Sequence, residues 1–294
     1  MERALSDRKM ILLFVMPAFL VFFVIVLLPI AISFYFSLLK WNGIGSGTLI
    51  GLKNYISLFS QGNDVFVKSI LNSFILVIIS VFIQLPAALI LALILANKIK
   101  GENFFRTVYF IPMTLSTVVV GQLWMKIYQP DYGMLNTVLN FLGLGSWTRE
   151  WLGDPGTAML SAFVPGVWQY IGYYMLIMYA GIKAIPEELF EAARIDGASY
   201  IKTALKITIP LLRPIAKTCV IFALIGSLKV FDTIYVMTKG GPMHASEVPS
   251  TVMYNSIFVK NMYGYGSSIA VFIVLECLIM TFIVQKSFKV EKSI

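Results

Sequence analysis

Charged residues punctuate this chain at wide intervals, and the gaps between them define its elements. No Asp, Glu, Lys or Arg occurs from residue 10 to 39, from 69 to 97, from 107 to 125, or from 155 to 182. Two later apolar stretches are interrupted by single charges: Lys229 and Asp232 in one, Glu276 in the other. A helix needs about 20 apolar residues to cross a bilayer. The pattern therefore predicts six transmembrane helices, at about 10–38, 69–97, 107–128, 157–182, 215–237 and 267–285. The first run is too long for a signal-peptide core and lacks a small-residue cleavage site, so it reads as a retained anchor.

Composition agrees with that reading. Hydrophobic residues make up 58% of the 294 and charged residues 13%, against about 25% charged in a soluble domain. Mean hydropathy is +0.82. A water-exposed globule and a disordered chain are both excluded. So is a disulfide scaffold, because the only cysteines, Cys219 and Cys277, sit inside apolar runs. One histidine, His244, and no CxxC pair leave no basis for a metal site. The expected fold is an all-α, multi-pass protein of the cell membrane, a single transmembrane domain over 1–294.

Lysine and arginine set the orientation. With the N-terminus in the cytoplasm, the inside segments carry fifteen: Arg3, Arg8, Lys9, Lys98, Lys100, Arg106, Lys183, Arg194, Lys202, Lys206, Arg213, Lys217, Lys286, Lys289 and Lys292. The outside segments carry seven: Lys40, Lys53, Lys68, Lys126, Arg149, Lys239 and Lys260. Both termini are expected inside. The net charge of +8 then reflects topology and an anionic inner leaflet, and calls for no nucleic-acid partner.

The inside loop between the fourth and fifth spans has its own pattern. Pro186 suits a first helical position, and Glu187 and Glu188 suit the positive end of a helix dipole. Leu189, Phe190, Ala192 and Ala193 form an apolar stripe. Gly197 supplies the freedom to reverse the chain. Ser199 can cap a second helix, running to about Ile207 and stopped by Pro210. The expectation is a short helix–turn–helix at the membrane surface, a knob for a partner.

Glu191-Ala192-Ala193, then Gly197, then Ile207-Thr208-Ile209-Pro210, resembles the EAA loop of binding-protein-dependent ABC importer permeases. Lys229 to Pro242, ending Gly240-Gly241-Pro242, and Gly51-Leu52-Lys53-Asn54-Tyr55 are similar to the carbohydrate-uptake branch, the maltose/lactose/glycerol-phosphate type of first permease subunit. The resemblance implies a division of labour. An extracytoplasmic protein captures the sugar, this chain and a second homologous permease form the path, and two ATPase subunits dock on the EAA loops. Glu191, Ala192, Ala193, Gly197, Ile207 and Pro210 are then the coupling residues. The chain has no Gly-Lys dipeptide and so no phosphate loop. It is expected to bind no cofactor and to be no enzyme, ATP and Mg residing on the partner ATPase.

A sugar path needs polar groups for hydroxyls and flat apolar faces for ring C–H groups. The resemblance directs attention to the fourth and fifth spans, where Gln169, Tyr170, Tyr173 and Ser227 are the candidates. Gly166 and Gly172 are expected to permit close helix packing. Among the buried charges, Lys229 and Asp232 lie three apart, a spacing that puts them on one helix face, and Glu276 falls near the midplane. No histidine or second midplane acid continues a proton relay, so a structural partner for Glu276 is expected, with the other permease subunit as a candidate to supply it. A stand-alone secondary transporter leaves the EAA loop without a purpose. A membrane enzyme would have only His244 and Glu247 to work with. A permease for glycerol phosphate needs a positive cavity, for which only Lys229 is at hand; a neutral oligosaccharide is the better substrate.

Overall fold

The computed structural model describes residues 8–60, 64–97 and 99–288, with side chains from Leu12 onward. Arg3, Lys98, Lys289 and Lys292, counted above for orientation, lie outside the described residues. In chain order the elements are α1 (Arg8–Phe22), α2 (Leu28–Ser37), a hairpin of β1 (Leu39–Lys40) and β2 (Thr48–Leu49), and α3 (Lys53–Leu58). Then come α4 (Asp64–Ile79), α5 (Leu85–Ala96), α6 (Glu102–Thr114), α7 (Thr117–Ile127), α8 (Met134–Phe141), α9 (Ala158–Lys183) and α10 (Glu187–Ile195). The chain continues with α11 (Tyr200–Thr203), α12 (Ile209–Leu211), α13 (Arg213–Leu228), α14 (Asp232–Met237), α15 (Pro249–Tyr254) and α16 (Tyr263–Ser287). Leu12–Ser37, Asp64–Ala96, Arg213–Met237 and Tyr263–Ser287 are long and apolar enough to cross a membrane, and the bent pair α6–α7 adds a fifth if it is one broken span.

Proline explains how three of these helices are built. Pro29, Pro86 and Pro210 each stand second after a π turn, at Phe23–Leu27, Ser80–Gln84 and Ala204–Thr208. A proline inside an α-helix has no N–H and its ring clashes with the carbonyl four residues back. In each case the wider turn shifts the pattern, the residue before the proline donating to the carbonyl five back: Leu28 to Phe23, Leu85 to Ser80, Ile209 to Ala204. Pro210 therefore does not stop the second helix of the loop, as the sequence suggested; the helical path runs on to Leu211.

The span expected at 107–128 also differs. It is two helices, α6 and α7, meeting at 97°. Leu115 and Ser116 are extended, with ψ of 147° and 132°, and Pro112 near the end of α6 weakens its last turn. The fifth segment is likewise broken, α13 ending at Leu228 and α14 starting at Asp232. The all-α expectation missed only the small β1–β2 hairpin, which pairs Leu39 with Leu49 and Lys40 with Thr48.

Two compact units emerge, residues 1–63 with 253–274, and residues 64–252 with 275–294. In the first, the Asn54 amide donates to the carbonyls of Ser37 and Leu39, tying α3 to the hairpin. Gly264 lets α16 approach the same strand: a Cβ there would lie 1.9 Å from the Leu39 carbonyl oxygen.

In the second unit α9 packs chiefly on α5 and α6. The α5 face is Leu85, Ala88, Ala92 and Leu95, and the α9 face is Tyr174, Met175, Met178 and Ile182. Ala88 and Ala92, four apart and fully buried, allow the close approach that drives helix association in lipid. Gly172 does the same against α6, where a Cβ would sit 1.8 Å from the Tyr109 carbonyl oxygen. Gly166 does not: nothing lies within 4 Å of its Cβ position. Gly172→Ala should therefore lose about 1–3 kcal/mol through overpacking, while Gly166→Ala should be neutral or slightly stabilising. Thermal unfolding of the two purified variants checks this; equal midpoints would refute the packing role of Gly172.

Candidate functional site

The signature loop folds as two short capped helices joined by a turn. Its first helix, α10, starts after Pro186, which occupies the capping position just outside the helix with extended ψ of 132° rather than the first helical one. Glu187 and Glu188 stand in the first turn and Arg194 in the last, each favourable to the helix dipole. The helix ends on Gly197, φ +69°. Its amide donates to the Arg194 carbonyl (3.0 Å) and that of Ala198 to the Ala193 carbonyl (2.9 Å). These two bonds close a Schellman motif. No atom lies within 4 Å of a Cβ at Gly197, so the glycine answers to backbone conformation and not to crowding. Ser199 then caps α11, its Oγ accepting from the Lys202 amide at 3.4 Å.

Two residues the sequence did not single out hold this loop in place. The C-terminus of α5 exposes carbonyls that no helical N–H reaches. Tyr200, just after α10, donates its hydroxyl to the Leu93 carbonyl. Lys183, just before α10, donates to the Ala96 carbonyl at 3.3 Å. Burial raises the Tyr200 hydroxyl above the ordinary tyrosine range, so it remains a donor at physiological pH. Lys183 also pairs with Glu102 at 3.8 Å. Glu102 accepts from the Tyr179 hydroxyl, and Arg106 and Lys183 lie 5.5 and 5.4 Å from the centre of the Tyr179 ring. The loop is thus tethered on both flanks to the ends of α5, α6 and α9.

The coupling candidates divide by exposure. Ala193 is buried, Ile207 and Pro210 are half-buried, and Glu191 and Ala192 are exposed. Ile195, at 87% exposure, gives α10 an apolar tip that no described residue covers. Beside that face, Glu187, Phe190 and Arg194 line a cavity of about 490 Å³ shared with Leu93, Ile182 and Lys183.

The four sugar-path candidates are placed unequally. Gln169 is 1% exposed. Its amide donates to the Leu115 carbonyl at 2.9 Å, in the elbow between α6 and α7, and its Oε1 has no partner. Ser227 is buried and donates to Ser80 Oγ at 3.0 Å. Tyr170 is exposed and Tyr173 half-buried, its ring 5.3 Å from that of Tyr174. Two other intramembrane amides went unnoticed. Gln84 donates to the Val167 carbonyl (3.0 Å), and Asn72 to the carbonyls of Ala245 (3.0 Å) and Glu247 (2.8 Å). The signal was available, since an amide in an apolar run needs a partner.

The charged candidates need correction on one point. Lys229 is the C-cap of α13 and Asp232 opens α14, so the two do not share a helix face. Both are exposed, and among the described residues no ion pair joins Lys229 to Asp232 or Glu276. Glu276 is buried with both oxygens unpartnered. His244 Nδ1 lies 3.2 Å from Glu247 Oε1, and Thr251 donates to the same carboxylate. Gly240, φ +87°, leaves room for that side chain, as a Cβ would come within 2.4 Å of Glu247 Cδ. The Gly-Gly-Pro run thus serves a buried loop.

Such a chain, helical, apolar and carrying this loop, is a membrane transport subunit, and comparison with known proteins supplies the family. Residues 54–289 match the model of binding-protein-dependent transport system inner membrane components; the chain belongs to that family. It is 41% identical to the probable ABC transporter permease protein YurN of Bacillus subtilis, over 95% of this chain and 96% of that one. It is 33% identical to the trehalose/maltose transport system permease protein MalF of Thermococcus litoralis, over 97% and 92%. Its fold matches a chain of the bacterial ABC transporter that imports the acidic polysaccharide alginate, with a TM-score of 0.81 at 22% identity over 95% and 96% of the two chains.

Gly197→Ala should strain the turn by about 1 kcal/mol, loosening the bonds that close α10. Hydrogen exchange at Ala198 should then quicken about fivefold while the α9 core keeps its protection. An unchanged rate at Ala198 would mean the left-handed turn does not hold the helix end.

Proposed function

We propose that this chain is the transmembrane subunit of an ATP-driven, binding-protein-dependent importer of a neutral oligosaccharide. A single observation carries the coupling half of that reading: α10 offers an exposed face of Glu191, Ala192 and Ile195 on a helix capped at Gly197 and tethered through Lys183 and Tyr200. A rigid, partner-sized helix with an apolar tip fits a cleft on an ATPase subunit. Two such subunits hydrolyse ATP, and a second homologous permease completes the path.

Six spans are part of the proposal. They are the four apolar helices, the bent pair α6–α7 taken as one broken crossing, and α9. The last has 26 residues, about 39 Å of helix at 1.5 Å per residue. Both termini and the signature loop face the cytoplasm, as the lysine and arginine distribution supports. The sugar reading draws on relatives named for trehalose and maltose and for diacetylchitobiose uptake in Streptomyces coelicolor. Tyr170 and Tyr173, whose rings are not consumed by packing alone, are the proposed sugar contacts. Gln169 and Ser227 contribute to the path after release from Leu115 and Ser80.

Two substitutions test the two halves. Gly197→Asp, reconstituted with the partner subunits, should keep ATPase co-purification within a few-fold yet lose sugar uptake and binding-protein-stimulated hydrolysis. Wild-type uptake by the assembled variant would sink the coupling role. Tyr173→Ala should lower uptake of the transported sugar about tenfold, the effect of removing roughly 1–1.5 kcal/mol of stacking. Uptake at wild-type rate and apparent affinity would remove Tyr173 from the path.

A further inference from the structure

Glu191, Ala192 and Ile195, the proposed coupling surface, do not line the cavity beside α10. Its volume, about 490 Å³, is in the range of small-ligand sites. The lining has an apolar part, Leu93, Ile182, Ile185 and Phe190, and a polar part that includes Asn97, Lys183 and Arg194. Lys183 and Arg194 face a single lining acid, Glu187. The Lys183 charge is partly engaged by Glu102, whereas the Arg194 guanidinium forms no side-chain hydrogen bond or ion pair among the described residues. The nearby end of α5 would normally present bare carbonyls and the negative end of a helix dipole. Here Tyr200 and Lys183 cover those carbonyls, which lowers the repulsion an anion would meet.

We propose that this cavity holds the phosphate headgroup of an anionic phospholipid, with Arg194 as its main cation and the apolar part of the lining taking the first methylenes. The assignment rests on the cytoplasmic placement proposed above, which sets the cavity at the inner leaflet. Basic pockets between helices at that surface recognise anionic headgroups, and a guanidinium matches a phosphate with two parallel hydrogen bonds. A bound headgroup bridges α10 to the ends of α5 and α9. Coupling to the ATPase then depends on the lipid as well as on the tether.

The test uses the assembled transporter, purified and placed in nanodiscs of phosphatidylcholine alone or mixed with phosphatidylglycerol. Native mass spectrometry of wild type should show one phosphatidylglycerol retained through washing, and stimulated hydrolysis should be higher in the mixed discs. Arg194→Gln should retain it about fivefold less well. Thr203→Trp, which fills the cavity, should lose it altogether, and Lys260→Gln should retain it as wild type does. Should Arg194→Gln fail to assemble, the comparison of wild type with Thr203→Trp decides. Equal retention by wild type and Thr203→Trp overturns the site. Binding of free glycerol phosphate to the detergent-purified complex, with no lipid retained, overturns the lipid assignment in favour of a soluble phosphate ester. Lipid retention is read whether or not sugar moves, so its failure is distinct from a failure of the import reading.

Discussion

Backbone polar groups in an apolar medium must find partners, and this constraint organises the chain. Inside a regular helix every amide and carbonyl is satisfied, so the difficulty falls on breaks and ends. At several of these places, and once inside α9, a side chain donates a further bond. Asn54 serves the end of α2 and strand β1, Asn72 the loop at 245–247, Gln84 the carbonyl of Val167, and Gln169 the elbow at Leu115. Tyr200 and Lys183 serve the end of α5. Removing the Asn54 or Asn72 amide would leave buried carbonyls short of a partner. In that setting the loss exceeds the net 0.5–1.5 kcal/mol of an ordinary hydrogen bond.

The same constraint sets what polar residues are free to do. Gln169 and Ser227 are already engaged with neighbouring helices, so contact with a sugar requires them to exchange one partner for another. Such an exchange costs little only if both arrangements satisfy every group. The unpartnered Oε1 of Gln169 is the exception, a buried acceptor whose need is unmet in this conformation. Tyr170 and Tyr173 carry no such obligation, which is why the proposed path rests first on their aromatic faces.

Much of this was legible in the sequence. Charge-free gaps located the long helices because burial in lipid forbids charge, and Gly197 and Ser199 marked the ends of α10 and α11 through cap chemistry local to a few residues. What stayed hidden was relational. Nothing local to residues 107–128 announces a 97° elbow, since Pro112 can end a helix or be absorbed in it, and the carbonyl of Leu115 is stabilised by Gln169, 54 residues away. Pro210 was read as a stop for the same reason. Like Pro29 and Pro86, it is absorbed by a π turn ending two residues upstream, a device that leaves no simple mark in the sequence. Tyr200 and Lys183 looked like ordinary surface residues because their acceptors belong to another helix.

The tether and the π turn together determine how motion at α10 can spread. A loop fastened at only one flank would pivot and dissipate a push from below. This one is fastened at both, through Lys183 on the entering side and Tyr200 on the leaving side, so displacement of α10 loads the end of α5. Ala88, Ala92 and Gly172 then matter for a second reason. Close-packed helices have few rotamers to absorb strain, so α5, α6 and α9 respond as a block and not residue by residue. The π turn at Ala204–Thr208 accommodates Pro210, which would clash in a regular α-helical turn. In the coupling role proposed for α10, the two tethers would pass its displacement to α5 and α9, the helix that carries Gln169, Tyr170 and Tyr173.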